Sequence, residues 1–505
     1  MREHEAPAGV TRRGLLGGTI GAGVGRAGTT RRPNFLFLLA DDHAAYVMGC
    51  DGNRLAHTPH LDRLANEGTR FARHYCNSPV CTPSRQSFLT GQLPHSTGVT
   101  RLPTPLAVDR PTLARQFQKA GYRTAVFGKM HWNRPGTPGL FGFDTVFTEN
   151  EIRQAWLRDV KPRPVPETIR TKPPWKPFQD PARIWLNADQ LPFPRIEEEM
   201  LGTYLARRAV ESLEQSGDQP FALWVSFMEP HSPFDFPVED RGRVDPKRFP
   251  VPRVGPEDAE QIPKVFRGLT EEEKAGIIAA YYTSAGFLDR NLGRVLDALR
   301  RLHLDENTLV VYMADHGYDL GQHGRFEKHC GYDPALRVPL MMRHPGRIRR
   351  GVVEDFTEHV DVTATIADVM DLDPLPVQHG RSLRPYLEGR RMEQARGHIF
   401  SEYLENEEAY IRTRRWKYIF CSGKRARTDG YVTDRPTPGR YRRLYDLAAD
   451  AGEFTDVARA HPGVVAELDG VMLKRFRDTH PEAAGEPPGL SREEALEFYL
   501  RPRDG

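Results

Sequence analysis

Four short, unbroken apolar runs govern what this chain can fold into. Asn34–Ala40 runs into Asp41-Asp42, and Thr124–Phe127 into Gly128-Lys129-Met130-His131. Phe221–Phe227 leads to Glu229-Pro230-His231, and Thr308–Ala314 to Asp315-His316-Gly317. A run without polar alternation marks a strand covered on both faces. Helical patterns lie between the runs, at roughly 60–68, 111–120, 197–215 and 271–301. Strands alternating with helices predict an α/β fold, a mostly parallel central sheet flanked by helices. Ligands of such sheets sit beyond the carboxyl ends of the strands, so all four polar clusters are expected on one rim. Any one cluster alone reads as a solvated strand end or a helix cap; four of one kind point to a site.

Composition bounds the rest. The 505 residues suit two to three domains, or one large α/β body with an appendage. With 39% hydrophobic and 28% charged residues, a core forms and wholesale disorder is excluded. The net charge, 71 − 68 = +3, supplies no field that would argue for nucleic acid. Cys50, Cys76, Cys81, Cys330 and Cys421 are too scattered for a disulfide scaffold or a zinc finger. At the N-terminus, Thr11-Arg12-Arg13-Gly14-Leu15-Leu16 precedes a weakly apolar stretch ending at Val24. That stretch is shorter than the about 20 residues needed to span a bilayer. Residues 1–30 therefore read as an export signal of the twin-arginine type, and the expected location is periplasmic or secreted.

The rim residues describe a chemistry. Asp41, Asp42 and Asp315 crowd three carboxylates, which repel one another unless a divalent cation neutralises them. Oxygen ligation suits Ca²⁺, Mg²⁺ or Mn²⁺, and the nitrogen of His316 brings Mn²⁺ within range. Lysine is scarce beside arginine in this chain, so Lys129 and Lys328 stand out as cations able to grip a tetrahedral oxyanion. His131 and His231 are candidates for proton transfer. Together these groups describe transfer of a sulfuryl or phosphoryl group.

The nucleophile is expected at Cys81. The segment Cys81-Thr82-Pro83-Ser84-Arg85, followed by Leu89-Thr90-Gly91, resembles the formylglycine-dependent sulfatases of the alkaline-phosphatase superfamily, whose maturation signal is Cys-x-Pro-x-Arg. The likeness extends along the chain. It takes in Thr58-Pro59-His60-Leu61-Asp62, Gly128-Lys129-Met130-His131, Pro230-His231-Ser232-Pro233, Asp315-His316-Gly317 with the trailing Lys328, and Leu444-Tyr445-Asp446-Leu447 with Glu453. Two positions depart from the family pattern: His60 and His316 stand where many members carry Asn.

The resemblance implies an alkaline-phosphatase-like sheet with a smaller C-terminal α+β domain. It implies that a separate formylglycine-generating enzyme oxidises Cys81 to formylglycine (3-oxoalanine), which hydrates to a gem-diol. The divalent metal, Ca²⁺ first and Mn²⁺ as the alternative, is then held by Asp41, Asp42, Asp315, His316 and the modified residue 81. Arg85 orients the diol and supports the carboxylates, while Lys129 and Lys328 hold sulfate oxygens. His231 protonates the leaving alcohol, and His131 takes a proton from the second diol oxygen. The expected substrate is a sulfated carbohydrate or an aryl sulfate. Hydrolysis of a phosphodiester or phosphonate monoester on the same scaffold is the alternative, and a binding protein in which Cys81 stays a thiol is the third reading.

The domain reading follows: 1–30 export signal, 31–395 catalytic body, 396–505 small α+β domain. In the last, His398–Tyr403 and Arg415–Phe420 read as strands and Val464–Phe476 as a closing helix. Residues 161–195 carry nine prolines together with Trp175 and Trp185, which excludes regular helix or central strand. The segment is either a plain surface insertion or a wall over the rim whose aromatics stack on a sugar ring.

Overall fold

The computed structural model describes residues 32–423, 427, 429–434 and 440–502; the expected export signal lies outside them. In chain order the body contains β1 (Asn34–Ala40), β2 (Thr69–Phe71), β3 (His74–Tyr75), β4 (Arg123–Gly128) and β5 (Thr145–Phe147). There follow β6 (Phe221–Ser226), β7 (Thr308–Ala314), β8 (Leu340–Arg343), β9 (Gly351–Val353) and β10 (Thr357–Glu358). Eight of them form one sheet in the order β5-β4-β6-β1-β7-β8-β2-β9, and β3 pairs with β10. The five strands from β5 to β7 run parallel; β8 is antiparallel to its neighbours β7 and β2. This is the mostly parallel sheet expected from the sequence.

The reason is visible in β1, every residue of which is buried. Successive side chains alternate across a strand. Phe35, Phe37 and Leu39 thus enter one apolar layer, while Leu36, Leu38 and Ala40 enter the other. The first face is covered by α2 (Cys81–Thr90), α4 (Leu113–Lys119), α10 (His359–Val369) and α11 (Arg384–Leu387). The second is covered by α1 (Pro59–Glu67), α5 (Glu149–Asp159), α7 (Leu201–Glu214) and α8 (Glu271–Arg301). Three short helices, α3 (Pro94–Thr97), α6 (Ala182–Trp185) and α9 (Asp333–Leu336), lie in the connections. Phe35 shows how tightly the layer closes, with ring centroids 4.8 Å from Phe117 and 4.9 Å from Trp224. Truncating such a residue to Ala removes about 3–5 kcal/mol.

The C-terminal part is an antiparallel meander of β11 (His398–Tyr403), β12 (Glu408–Thr413), β13 (Trp416–Cys421) and β14 (Tyr441–Asp446). One face packs Phe400, Ile411, Tyr418 and Phe420 against α12 (Pro462–Thr479) and α13 (Arg492–Leu500). The other face, through Ile399, Tyr403, Tyr410, Ile419 and Tyr445, joins the apolar layer of the large sheet. Strands β12 and β14 and helix α13 were not legible beforehand. Arg442 and Arg443 interrupt the apolar signal of β14, whose first three residues are only half-buried. Among the described residues no helix is long and apolar enough to cross a membrane.

Candidate active site

The parallel register aligns the strand ends. Ala40 lies opposite Ala314, and Ser226 opposite both Leu39 and Gly128. Asp41-Asp42, Asp315-His316 and Lys129 therefore leave the sheet side by side. An extended chain would send the two consecutive aspartates to opposite faces. Asp42 instead takes a left-handed conformation, φ 64°, which Asp tolerates better than most residues. Its backbone N–H donates to Asp315 Oδ1 at 3.1 Å, locking two rim segments together.

Cys81 opens α2. Val80 before it is extended, so the helix begins at the cysteine itself, and of its first-turn backbone N–H groups those of Cys81 and Thr82 lie at the thiol's end, Pro83 having none. Every residue of α2 is buried. Cys81 Sγ lies 3.5 Å from Asp41 Oδ1, 3.1 Å from His316 Nε2 and 3.8 Å from Lys129 Nζ. Arg85, four residues on, shares its helix face. Its Nε donates to Asp315 Oδ2 at 2.9 Å, its Nη1 donates to Ser226 Oγ at 2.8 Å and to the Lys129 carbonyl, and its Nη2 stands 3.6 Å from Asp41 Oδ1. Ser84 Oγ donates to the Asp315 carbonyl and lies 3.1 Å from His359 Nδ1.

The remaining cations close the ring. Lys129 pairs with Asp41. Lys328 Nζ lies 2.8 and 3.1 Å from the two oxygens of Asp42. His231 Nε2 stands 3.8 Å from Asp42 Oδ2 at the more exposed edge. His131 has a left-handed backbone whose N–H donates to Glu149 Oε1 at 2.9 Å, and its Nδ1 is buried without a hydrogen-bond partner.

These neighbours set the protonation pattern. Burial opposes charge on Asp41, yet Lys129, His231 and Arg85 hold its carboxyl well below the usual range. For Asp315 burial wins over Arg85 and His316, and its carboxyl is raised. Burial, reinforced by Asp41, pushes the Cys81 thiol up. Burial and then Lys328 lower His231 to about 4; burial, then Lys129 and Arg85, hold His131 well below its ordinary value.

The donor set fits a divalent cation. Asp41, Cys81, Asp315 and His316 offer ligand atoms all within 4.8 Å of one another, as do Asp41, Asp42, Cys81 and His231. Carboxylate oxygens with one or two imidazoles suit a hard or borderline ion. The structure thus brings Asp41, Asp42, Cys81, Arg85, Lys129, His231, Asp315, His316 and Lys328 together, with His131 beside them.

Sequence reasoning missed the supports. Ser226 was legible in principle, as a serine closing an otherwise apolar strand. Glu149, which accepts the Met130 and His131 backbone N–H groups, and Tyr281, whose hydroxyl donates to the Asp42 carbonyl, carry no local signal. Of the two tryptophans in the proline-rich loop, Trp185 is 2% exposed and packs against Phe178 and Phe266, so no ring can stack on it, while Trp175 is half-buried. The proline-rich loop does border the rim, through Lys172 on the Pro233 carbonyl at 3.4 Å.

A parallel sheet whose strand ends gather acids, lysines and a helix-start cysteine defines an ester hydrolase of the alkaline-phosphatase superfamily. The chain belongs to the sulfatase family: the sulfatase family model matches residues 33–372. A second model, N-sulphoglucosamine sulphohydrolase, C-terminal, matches residues 321–474. The protein is thereby a sulfuric ester hydrolase. Choline-sulfatase of Rhizobium meliloti is 29% identical over 483 residues, covering 89% of this chain and 86% of that one. N-acetylglucosamine-6-O-sulfatase of Bacteroides thetaiotaomicron is 28% identical, covering 90% and 88%. Among solved structures, a phosphonate monoester hydrolase from Silicibacter pomeroyi superposes with a TM-score of 0.74 at 25% identity, covering 90% of this chain and 97% of that one.

Proposed function

We propose that this sulfatase works through Cys81 oxidised to formylglycine, with a divalent cation, Ca²⁺ first and Mn²⁺ as the alternative, held by Asp41, Asp42, Asp315, His316 and the modified residue 81. The observation that carries the reading is the place of Cys81: first residue of a buried helix, 3.5 Å from Asp41 and 3.1 Å from His316. Hydrated formylglycine supplies two hydroxyls, one to attack sulfur and one to expel sulfate and restore the aldehyde. The cation, when bound, lowers the pKa of an attacking oxygen and offsets charge on the sulfuryl group.

The chain's own residues do the rest. Arg85 holds Asp315 in place and spans towards Asp41, Ser226 and Lys129. Lys129 and Lys328, paired with Asp41 and Asp42, turn to the anionic oxygens of the substrate. His231 donates a proton to the leaving alcohol. Burial and Lys328 keep it neutral, and an arriving sulfate anion works against the push of Lys328, favouring the imidazolium the reaction needs. His131 takes the proton of the second hydroxyl.

The substrate class is a sulfated carbohydrate or an aryl or alkyl sulfate, supported by the named activities of the relatives. Arg12-Arg13 supports export after folding, so a formylglycine-generating enzyme meets Cys81 in the cytoplasm and the mature protein works in the periplasm or outside the cell. Mass spectrometry of the Cys81 peptide tests the modification: loss of sulfur with gain of an aldehyde oxygen is expected, and an intact thiol in active enzyme refutes it. The likeness to a phosphonate monoester hydrolase favours a second reading. Parallel assays on p-nitrophenyl sulfate and a phosphonate monoester decide between them.

A further inference from the structure

Lys328 reaches the reaction centre on four flexible methylenes, so its placement depends on how firmly its loop is held. That loop runs from Lys328 to Asp333 at the start of α9, and the C-terminal sheet holds its far end. Lys417 on β13 is wholly buried, with Nζ 2.7 Å from Asp333 Oδ1 and 3.3 Å from Glu453 Oε1. The Asp333 backbone N–H donates to Glu453 Oε2 at 3.0 Å, and Asp333 Oδ2 accepts from Tyr75 Oη at 3.1 Å. Between the ends, Gly331 packs so close that a Cβ would lie 2.3 Å from the Tyr410 ring. α9, where the loop ends, also reaches the acids: the Ala335 and Pro334 carbonyls accept from Gly317 and Tyr318 at 2.8 and 2.9 Å, directly after Asp315-His316. Lys417 itself touches none of the rim side chains described above.

We infer that Lys417 is a positioning residue for Lys328: with Glu453 it pins the Asp333 end of the loop and so sets where the Lys328 ammonium meets the anionic group of the substrate. The inference rests on the reading of Lys328 as a group that holds sulfate oxygens. A buried ion pair spanning two parts of the chain is suited to fixing geometry rather than adding stability, and a displacement of about 1 Å at a binding group can cost on the order of a hundredfold in rate.

The test is a four-corner cycle on the matured, metal-loaded chain: wild type, Lys417→Met, Lys328→Ala and the double variant. Turnover of p-nitrophenyl sulfate gives kcat/KM, and calorimetry with inorganic sulfate gives an affinity independent of turnover. Lys417→Met is expected to lower kcat/KM and sulfate affinity by on the order of tenfold, and to remove nothing further once Lys328 is Ala. Should Lys417→Met fail to fold, Glu453→Gln keeps an oxygen for the Asp333 N–H while removing the charge that faces Lys417, and the same non-additive pattern is expected. Equal losses on both backgrounds, or unchanged sulfate affinity in a folded variant, overturn the inference. Wild-type activity in Lys328→Ala would instead overturn the reading of Lys328, and the positioning role with it.

Discussion

Replacing Gly128 by Ala should damage the site far more than the fold. Gly128 ends β4 with φ at +98°, and a Cβ there would lie 1.9 Å from the Ser226 carbonyl oxygen and 2.9 Å from its carbon. Two costs add. A side chain in the left-handed region costs about 1–2 kcal/mol. The contact is well over 1 Å too short, and both partners are backbone, so the ends of β4 and β6 must part. The bond from the Lys129 N–H to the Ser226 carbonyl, 3.0 Å long, is then lost, at about 1 kcal/mol. The sum is about 2–3 kcal/mol. Over 505 residues, an unfolding entropy of about 2.1 cal/mol/K per residue turns that into a fall in Tm of only about 2–3 °C. Lys129, however, moves by about 1 Å, and kcat/KM on p-nitrophenyl sulfate should fall on the order of a hundredfold. Gly121→Ala is the control. Gly121 also has positive φ, +82°, but nothing stands within 4 Å of its Cβ, so about 1–2 kcal/mol and unchanged turnover are expected. Matching activities in the two variants would refute the claim that close approach to Ser226, rather than backbone conformation, requires glycine at 128.

Cys81→Ala should abolish turnover while leaving far-ultraviolet circular dichroism unchanged; a variant as active as wild type removes the mechanism. A chelator should lower both activity and Tm, with Ca²⁺ or Mn²⁺ restoring them, because any ligand bound only by the folded state stabilises it; indifference to chelator argues against the cation. Stability should also carry a pH signature from Asp289, which burial raises to about 7 even though the His60 and Leu61 N–H groups donate to it. A raised carboxyl stabilises the fold fully below its unfolded value near 3.8 and loses that contribution as pH rises through about 7. Urea unfolding at pH 5 and pH 8 should therefore show Asp289→Asn gaining on wild type at the higher pH, and a difference independent of pH would contradict the assignment.

Much of this was legible in the chain itself. Asn34–Ala40 and Thr308–Ala314 are apolar without alternation because both faces of each strand are covered, so their class and their shared rim could be read before any coordinates. Glu149, Tyr281 and Lys417 could not. Each acts through a partner distant in sequence, at Met130 and His131, Asp42 and Asp333 respectively, and nothing in its own neighbourhood distinguishes it from a solvated residue. Trp185 was left open for the same reason: an aromatic in a proline-rich loop reads alike whether it faces solvent or, as here, packs on Phe178 and Phe266.

Local order of residue types thus determined which strands are buried and which polar groups leave their carboxyl ends. Only the tertiary structure decided how those groups pair: Arg85 with Asp315, Lys129 with Asp41, Lys328 with Asp42. The physical reason is range. Burial patterns repeat every two or four residues and leave a trace in sequence, whereas a buried charge chooses its partner by distance across the fold, and that distance exists only once the sheet has set its register.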